Sequence, residues 1–396
     1  MRPFARRDAG ADPAVSVPSK DRLAPFRADL DAIAAGGRTR RLIPRAGVDF
    51  ASNDYIGLAG SLRLANAVRR ALEEGVPVGA AGSRLLRGNT EWHEGFEEAA
   101  ARFFGAESAL MLGGGYQANV AVLATLPQRG DLLLMDDLSH ASTREGARLT
   151  RAEVAEFRHN DAGHAGEVIR GWRAGGGRGA VWICVESLYS MDGDRAPLDD
   201  LAPLADREGF LVVDEAHATG VWGPDGRGLS YALEGRGNVV TLHTLGKALG
   251  GSGAVLTLPG VLRDFIVNRG RPFIFATAPS PLMAVAATEA LAILKDEPER
   301  RDRLQDLIDL FAAELARRLP HLPPSGSQIV PLIVGAEAPT MRLAARLQAE
   351  GLDVRGIRPP TVPAGTCRLR VSLTLNASPA DVTRLAEVLE DAWPNS

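Results

Sequence analysis

Short apolar runs, separated by polar turns and amphipathic stretches, organise most of this chain. "SALMLGG", "DLLLMDD", "AVWICVES", "GFLVVDEA", "VVTLHTL" and "GAVLTL" are short, β-rich and bounded by Gly, Asp, Ser or Thr. Helical patterns such as "HEGFEEAAARFFG" and "LDDLAPLADREG" lie between most of them. Continuous apolar strands alternating with helices predict an α/β fold built on a mostly parallel sheet covered on both faces. Upstream, residues 21–50 read as an entry helix ("RLAPFRADLDAIAAGG"), a basic turn and a strand ("VDFAS"). After about residue 290 the texture changes. A long amphipathic stretch, "ATEALAILKDEPERRDRLQDLIDLFAAELARRL", precedes "SQIVPLIVG", another helix and "CRLRVSLTL". One helix over 282–315 is expected to link a large domain to a smaller α/β one. The predicted boundaries are an N-terminal arm and helix (1–55), a large domain (56–290) and a small C-terminal domain (291–396).

Composition narrows the function classes. Hydrophobic residues make up 45% of 396, ample for a core, and 45 Lys+Arg against 49 Asp+Glu give a net charge of −4. No basic stripe predicts nucleic acid, and no apolar run reaches membrane-spanning length. The start, "MRPFARRDAGADPAV", lacks the apolar core of a secretory signal and reads as a frayed terminus. Cys184 and Cys367 lie far apart and read as reduced core thiols of a cytoplasmic protein. No metal is expected, since "HEGFE" at His93 lacks the second histidine of a zincin helix. Neither a G-x-G-x-x-G after an early strand nor a G-x-S-x-G elbow is present, which argues against a dinucleotide oxidoreductase and a hydrolase.

In parallel sheets ligands sit at the carboxyl ends of strands, so those ends are where chemistry is sought. "LMLGGGYQAN" passes from strand through glycines into a helix, which makes a phosphate at Gly114, Gly115 and Tyr116 plausible; a simple tight turn is the equal alternative. His140 in "LSHAS" can stack on a flat ring or carry a proton; taken alone, a histidine so placed is more often structural. Asp214 ends the strand in "FLVVDEAHATG", with His217 close behind, and an acid there needs a cation or a protonated ring nitrogen. A local arginine would also serve. In "HTLGKALGG", Thr244 and Lys247 are close enough to reach one ligand. No item is specific by itself. Together they match the needs of pyridoxal 5′-phosphate (PLP): an anion cradle, a stacking partner, a carboxylate for the pyridinium nitrogen and a lysine amine for the aldehyde.

The blocks "SNDYIGL", "GSRLLRGN", "GGGYQAN", "LSHAS", "ESLYSMDGD", "VDEAHATGVWG", "TLGKALGGSG" and "RPFIFATAPSP" resemble, in order, those of the α-oxoamine synthases among fold-type I PLP-dependent transferases. The resemblance runs from about Arg38 to about Asn376. It implies the aspartate aminotransferase-like fold, homodimers with shared active sites, and condensation of an amino acid with an acyl thioester, carried on CoA or a carrier protein, with loss of CO2. It implies that Lys247 holds the PLP aldehyde, Asp214 meets the ring nitrogen, His140 stacks on the ring and His217 contacts its 3-hydroxyl. Ser190 and Thr244 would bond cofactor oxygens, Gly115 and Tyr116 would offer amides to the phosphate, and Thr277 would reach the neighbouring subunit's phosphate. "IRPPTVPAGT-RLR" resembles the branch that joins L-alanine to a pimeloyl thioester in biotin biosynthesis, and 5-aminolevulinate synthases share part of it. Arg370 matches the arginine that takes the amino acid's carboxylate. Arg358, Arg40 and Asn53 are further candidates for substrate contacts. "SRLLRGN" resembles a loop at the acyl-CoA entrance, where Arg84 and Arg87 either face substrate or stabilise a dimer. One departure stands out. Many members carry a histidine shortly after "SLT", whereas this chain reads "SLTLNASPAD". A sister synthase that uses glycine or serine, and a catalytically silent regulatory subunit, are the rival readings.

Overall fold

The computed structural model describes residues 21–393, so the reading of the first fifteen residues lies outside it. The chain divides into two compact units at Arg45/Ala46. In the first, the expected entry helix forms over Ala24–Ala35 with a proline in its first turn and no buried residue. A proline there is pre-set for a helix start, because its missing N–H would be unpaired anyway.

The second unit contains the sheets. Its strands are β1 (Val48–Asp49), β2 (Ser108–Leu112), β3 (Leu132–Asp136), β4 (Glu153–Phe157), β5 (Val181–Glu186), β6 (Gly209–Asp214), β7 (Val239–Thr244), β8 (Ala254–Leu258), β9 (Ile329–Gly335), β10 (Leu352–Asp353), β11 (Arg355–Ile357) and β12 (Cys367–Ser372). Seven form one sheet in the order β2-β8-β7-β6-β5-β3-β4, and only β8 runs against its neighbours. The six apolar runs are six of these strands. Every residue of β3, β5, β7 and β8 is buried, as expected where helices cover both faces. The seventh strand, β4, is the one that periodicity missed. It reads "EVAEF", with only Phe157 buried, because it closes the sheet at an edge where polar side chains discourage further pairing.

Beyond the main sheet, β11-β12-β9 form an antiparallel three-stranded sheet, and β1 pairs with β10. The single helix expected over 282–315 is instead two, Pro281–Asp296 and Glu299–Arg318. Pro298 sits between them. It has no N–H to continue the first helix and its ring crowds the preceding turn, while Glu299 and Asp302 suit the positive end of the second.

Candidate active site

Strands β2, β3, β5, β6 and β7 are mutually parallel in direction, so their carboxyl ends share one edge of the sheet. After β2 the chain turns through Gly113 and Gly114 into the helix Gly115–Thr125. A Cβ on Gly115 would lie 3.7 Å from Leu242 and 3.8 Å from the Thr244 hydroxyl, so this helix start rests against the end of β7. Its first-turn N–H groups lack intrahelical acceptors and favour an anion. After β3, His140 caps the helix Ala141–Leu149; its Nδ1 accepts the Ser142 N–H at 3.2 Å and lies 2.7 Å from the Ser142 hydroxyl. Strands β5 and β6 end in register on Glu186 and Asp214, and β7 leads through Thr244 to Lys247.

Two adjoining cavities open at this edge. The inner one, about 190 Å³, is lined by Gly115, Tyr116, Asn119, His140, Glu186, Asp214, His217, Thr244 and Lys247, among others. The outer one, about 260 Å³, shares His140, His217 and Lys247 and adds Asn53, Ser190, Met191, Arg355 and Arg370. Three expected residues of this unit are not part of either lining, and a fourth belongs to the other unit. Gly114 is the cap preceding the helix rather than part of the lining. Thr277 is exposed and makes a backbone bridge to Ser83. Arg358 pairs with Glu337 at 2.8 Å and lines neither cavity. Arg40 is exposed in the 21–45 segment, and both cavities are lined by residues of the other unit. Arg84 turns inward, where Glu97 receives it in a two-pronged buried pair at 2.8 and 3.1 Å and Asn89 accepts from its Nε.

A chain of hydrogen bonds joins the cavities. Lys247 Nζ lies 2.8 Å from His217 Nε2, His217 Nδ1 lies 2.6 Å from the Tyr55 hydroxyl, and Tyr55 donates to Asn53 Oδ1 at 3.0 Å. The same Oδ1 accepts from Arg370 at 3.1 Å. Because that oxygen only accepts, Tyr55 gives it its proton, and the Tyr55 oxygen then accepts from His217 Nδ1–H. The Nε2 lone pair is left for Lys247. Burial, reinforced by the charges of Lys247 and Arg370, holds His217 well below its ordinary pKa, so this ring is neutral. Burial likewise lowers Lys247 to about 8, against the opposing pull of Asp214 and Glu186 and with help from Arg370. His140 is lowered chiefly by burial, with Asp214 opposing and Lys247 assisting.

The two neighbouring carboxyls differ in their partners. Asp214 accepts from Asn119 Nδ2 at 2.7 Å and from the Ala216 N–H at 2.9 Å. Glu186 accepts the Ser190 N–H at 3.2 Å through one oxygen, and among the described residues its Oε1 has no partner. Burial, and then the Asp214 charge beside it, push Glu186 up to about 8. Glu186 therefore keeps its proton at neutral pH.

Several participants were not singled out from sequence. Asn119 ties Asp214 to Ser142, and through it to His140. It is a lone amide inside the apolar helix "GYQANVAVLAT", and a buried polar group among apolar ones needs a partner; that signal was available. Tyr55 gave no such signal, since its partner His217 lies far along the chain. The turn in "SMDGD" is pinned by His159, whose nitrogens face Asp136 and Asp194 at 2.8 Å each. Burial opposes its charge, but the two acids prevail and push it up to about 10. This imidazolium bridges the end of β3 to the segment carrying Ser190.

Comparison with known proteins identifies the family of the chain. The family model "Aminotransferase class I and II" matches residues 45–389. The 8-amino-7-oxononanoate synthase of Methylobacterium radiotolerans is 40% identical over 375 residues, covering 91% of this chain and 95% of that one. Among solved structures, a serine palmitoyltransferase variant from S. paucimobilis with PLP and myriocin bound superimposes with a TM-score of 0.83 at 27% identity, covering 94% of this chain and 98% of that one. An 8-amino-7-oxononanoate synthase from Francisella tularensis gives 0.74 at 26% identity, covering 87% and 97%.

Proposed function

This chain belongs to the aminotransferase class I and II family and, within it, to the α-oxoamine synthases, and from that premise we propose that it is a PLP-dependent acyltransferase condensing L-alanine with a pimeloyl thioester in biotin biosynthesis. The products would be 8-amino-7-oxononanoate, CO2 and the free thiol of CoA or a carrier protein. The observation that carries the reading is a pair of cations left without carboxylate partners. Among the described residues neither Lys247 nor Arg370 has a salt bridge, and both line the outer cavity. Arg370 donates only to neutral acceptors: the Ser190 carbonyl, the Ser372 hydroxyl, Asn53 and Tyr55. A buried guanidinium so placed is poised for a ligand carboxylate.

The inner cavity has the donor set that PLP requires. Lys247 supplies a depressed amine, Asp214 a carboxylate for the ring nitrogen, and Gly115, Tyr116 and Thr244 N–H and O–H groups for the phosphate. His140 would face the ring, and His217 lies beside the amine. PLP bound there supplies an electron sink for the pair released at the amino acid's α-carbon. The chain's own groups do the rest. Arg370 and Asn53 orient the amino acid by its carboxylate. Lys247, its amine easily deprotonated at its depressed pKa, takes the α-proton and later returns one. His217 accepts from that amine and holds its lone pair in line. Asn119 holds Asp214 in place by its hydrogen bond, and His140 is locked by Ser142 in the orientation that lines the cavity.

A homodimer sharing its sites, with Thr277 serving the partner, and a cytoplasmic location complete the proposal. No helix among the described residues is long and apolar enough to cross a membrane. Thiol release by the PLP-loaded protein tests the substrate pair. Pimeloyl-, succinyl-, acetyl- and palmitoyl-CoA are each offered with L-alanine, glycine or L-serine. Release confined to pimeloyl-CoA with L-alanine is expected. Preference for glycine with a short acyl group, or for serine with palmitoyl-CoA, would assign the chain to a sister synthase.

A further inference from the structure

The outer cavity contains a second arginine, Arg355. Strand β11 pairs antiparallel with β12 so that Arg355 lies directly opposite Arg370. Side chains at such positions leave the same face of the sheet about 5 Å apart, and like charges placed there repel unless something negative lies with them. Both line the same cavity as Lys247. Asp353 grips Arg355 through Nε at 2.7 Å and Nη2 at 3.0 Å. Among the described residues no hydrogen bond or ion pair engages its Nη1, and the side chain is 40% exposed. Asp353 thus fixes the guanidinium through Nε and Nη2 and leaves Nη1 for a ligand. Arg358, three positions on, is spent on Glu337.

The amino acid brings one carboxylate, and Arg370 is placed for it. Asp353 supplies Arg355 with a local counter-charge but leaves Nη1 able to donate to a further anionic oxygen, and the acyl substrate is the other molecule that must enter. Its reacting carbon has to reach the amino acid beside Lys247. A carboxylate separated from that carbon by a short methylene chain stays within the cavity. The phosphates of CoA are separated from it by the whole pantetheine arm.

We propose that Arg355 is a specificity-determining residue that binds the far-end carboxylate of a dicarboxylic acyl thioester, selecting it over an unsubstituted acyl chain. This rests on the reaction proposed above. The test compares wild type with Arg355→Gln and Arg355→Lys in PLP-loaded protein, reading thiol release with L-alanine. The acyl donors are pimeloyl-CoA, heptanoyl-CoA (equal length, no terminal carboxylate) and pimeloyl N-acetylcysteamine (no phosphates). Arg355→Gln is expected to raise KM about 10- to 100-fold for both pimeloyl donors, the range of one lost charge-assisted hydrogen bond. KM for heptanoyl-CoA and L-alanine stays unchanged, and Arg355→Lys recovers part of the loss. An equal loss with heptanoyl-CoA overturns the assignment, as does a loss seen with both CoA esters but not with pimeloyl N-acetylcysteamine. Should wild type release no thiol from any of the three donors, the proposed reaction itself fails. Normal wild-type turnover with unaltered pimeloyl preference in Arg355→Gln refutes the Arg355 role alone.

Discussion

The depressed Lys247 amine makes a measurable demand on how the protein captures its cofactor. An ordinary lysine has a pKa of 10.5, whereas burial lowers Lys247 to about 8. At pH 7 that leaves about one-tenth of the amine unprotonated, against about one part in 3,000 for an unshifted lysine, a gain of ~300-fold in nucleophile. The rate at which cofactor-free protein captures PLP covalently, trapped with borohydride at intervals, is therefore expected to rise with pH and level off above an inflection near 8. Neighbouring charges fix the direction in which variants move it. Arg370 disfavours the ammonium, so Arg370→Gln moves the inflection up. Asp214 favours it, so Asp214→Asn moves the inflection down. The neutral His217 contacts the amine without carrying charge, so His217→Gln shifts it less than either. An inflection at 10 or above in wild type, or a downward move in Arg370→Gln, would refute the electrostatic account of this site.

Other expectations follow from the same geometry. Lys247→Ala abolishes thiol release while still binding PLP noncovalently, seen by absorbance after gel filtration; full activity in that variant would sink the scheme. Glu186→Gln stabilises the cofactor-free protein by an amount that grows from about pH 5 to pH 8. A carboxyl whose folded pKa is raised to about 8 costs increasing stability as pH climbs above its unfolded value, reaching about 2–4 kcal/mol. Urea titrations of both proteins at pH 5 and pH 8 check the sign. Glu97→Ala strands the buried Arg84 and the Met111 N–H and costs about 3–5 kcal/mol in the same titration, whereas replacing both charges by apolar residues restores much of it. Asn119→Ala loosens both Asp214 and His140, and lowers kcat for thiol release more than it raises the KM for L-alanine.

The main sheet and the strand-end chemistry were legible because both rest on local patterns. Buried parallel strands must be apolar throughout, and the polar residue that ends each one stands out. His140, Asp214, Thr244 and Lys247 all lie at such ends and meet in one cavity. What escaped depends on distant parts of the chain. Strand β4 escaped because an edge strand need not be apolar, and the helix break at Pro298 was masked by amphipathic periodicity that continues on both sides. Tyr55 becomes part of the site only when the fold sets it against His217. Arg355 was passed over for Arg358, since strand register rather than motif decides which arginine faces the cavity.

The two cavities also differ in how far apart in the chain their walls are made. Every residue of the inner one lies between Gly115 and Lys247, within the span of the main sheet. The outer one joins Ala51 and Asn53 to Arg355, Ile357 and Arg370, and β1 must find β10 to bring those segments together. Closing so long a loop is entropically slow and comes after local structure. On the ribosome, the inner pocket's residues have all emerged while the strand carrying Arg370 is still unmade, and domains assemble as their residues emerge. Substrate recognition is accordingly the last property this chain acquires as it is synthesised. It is also the first that a misjoined or truncated C-terminus would take away.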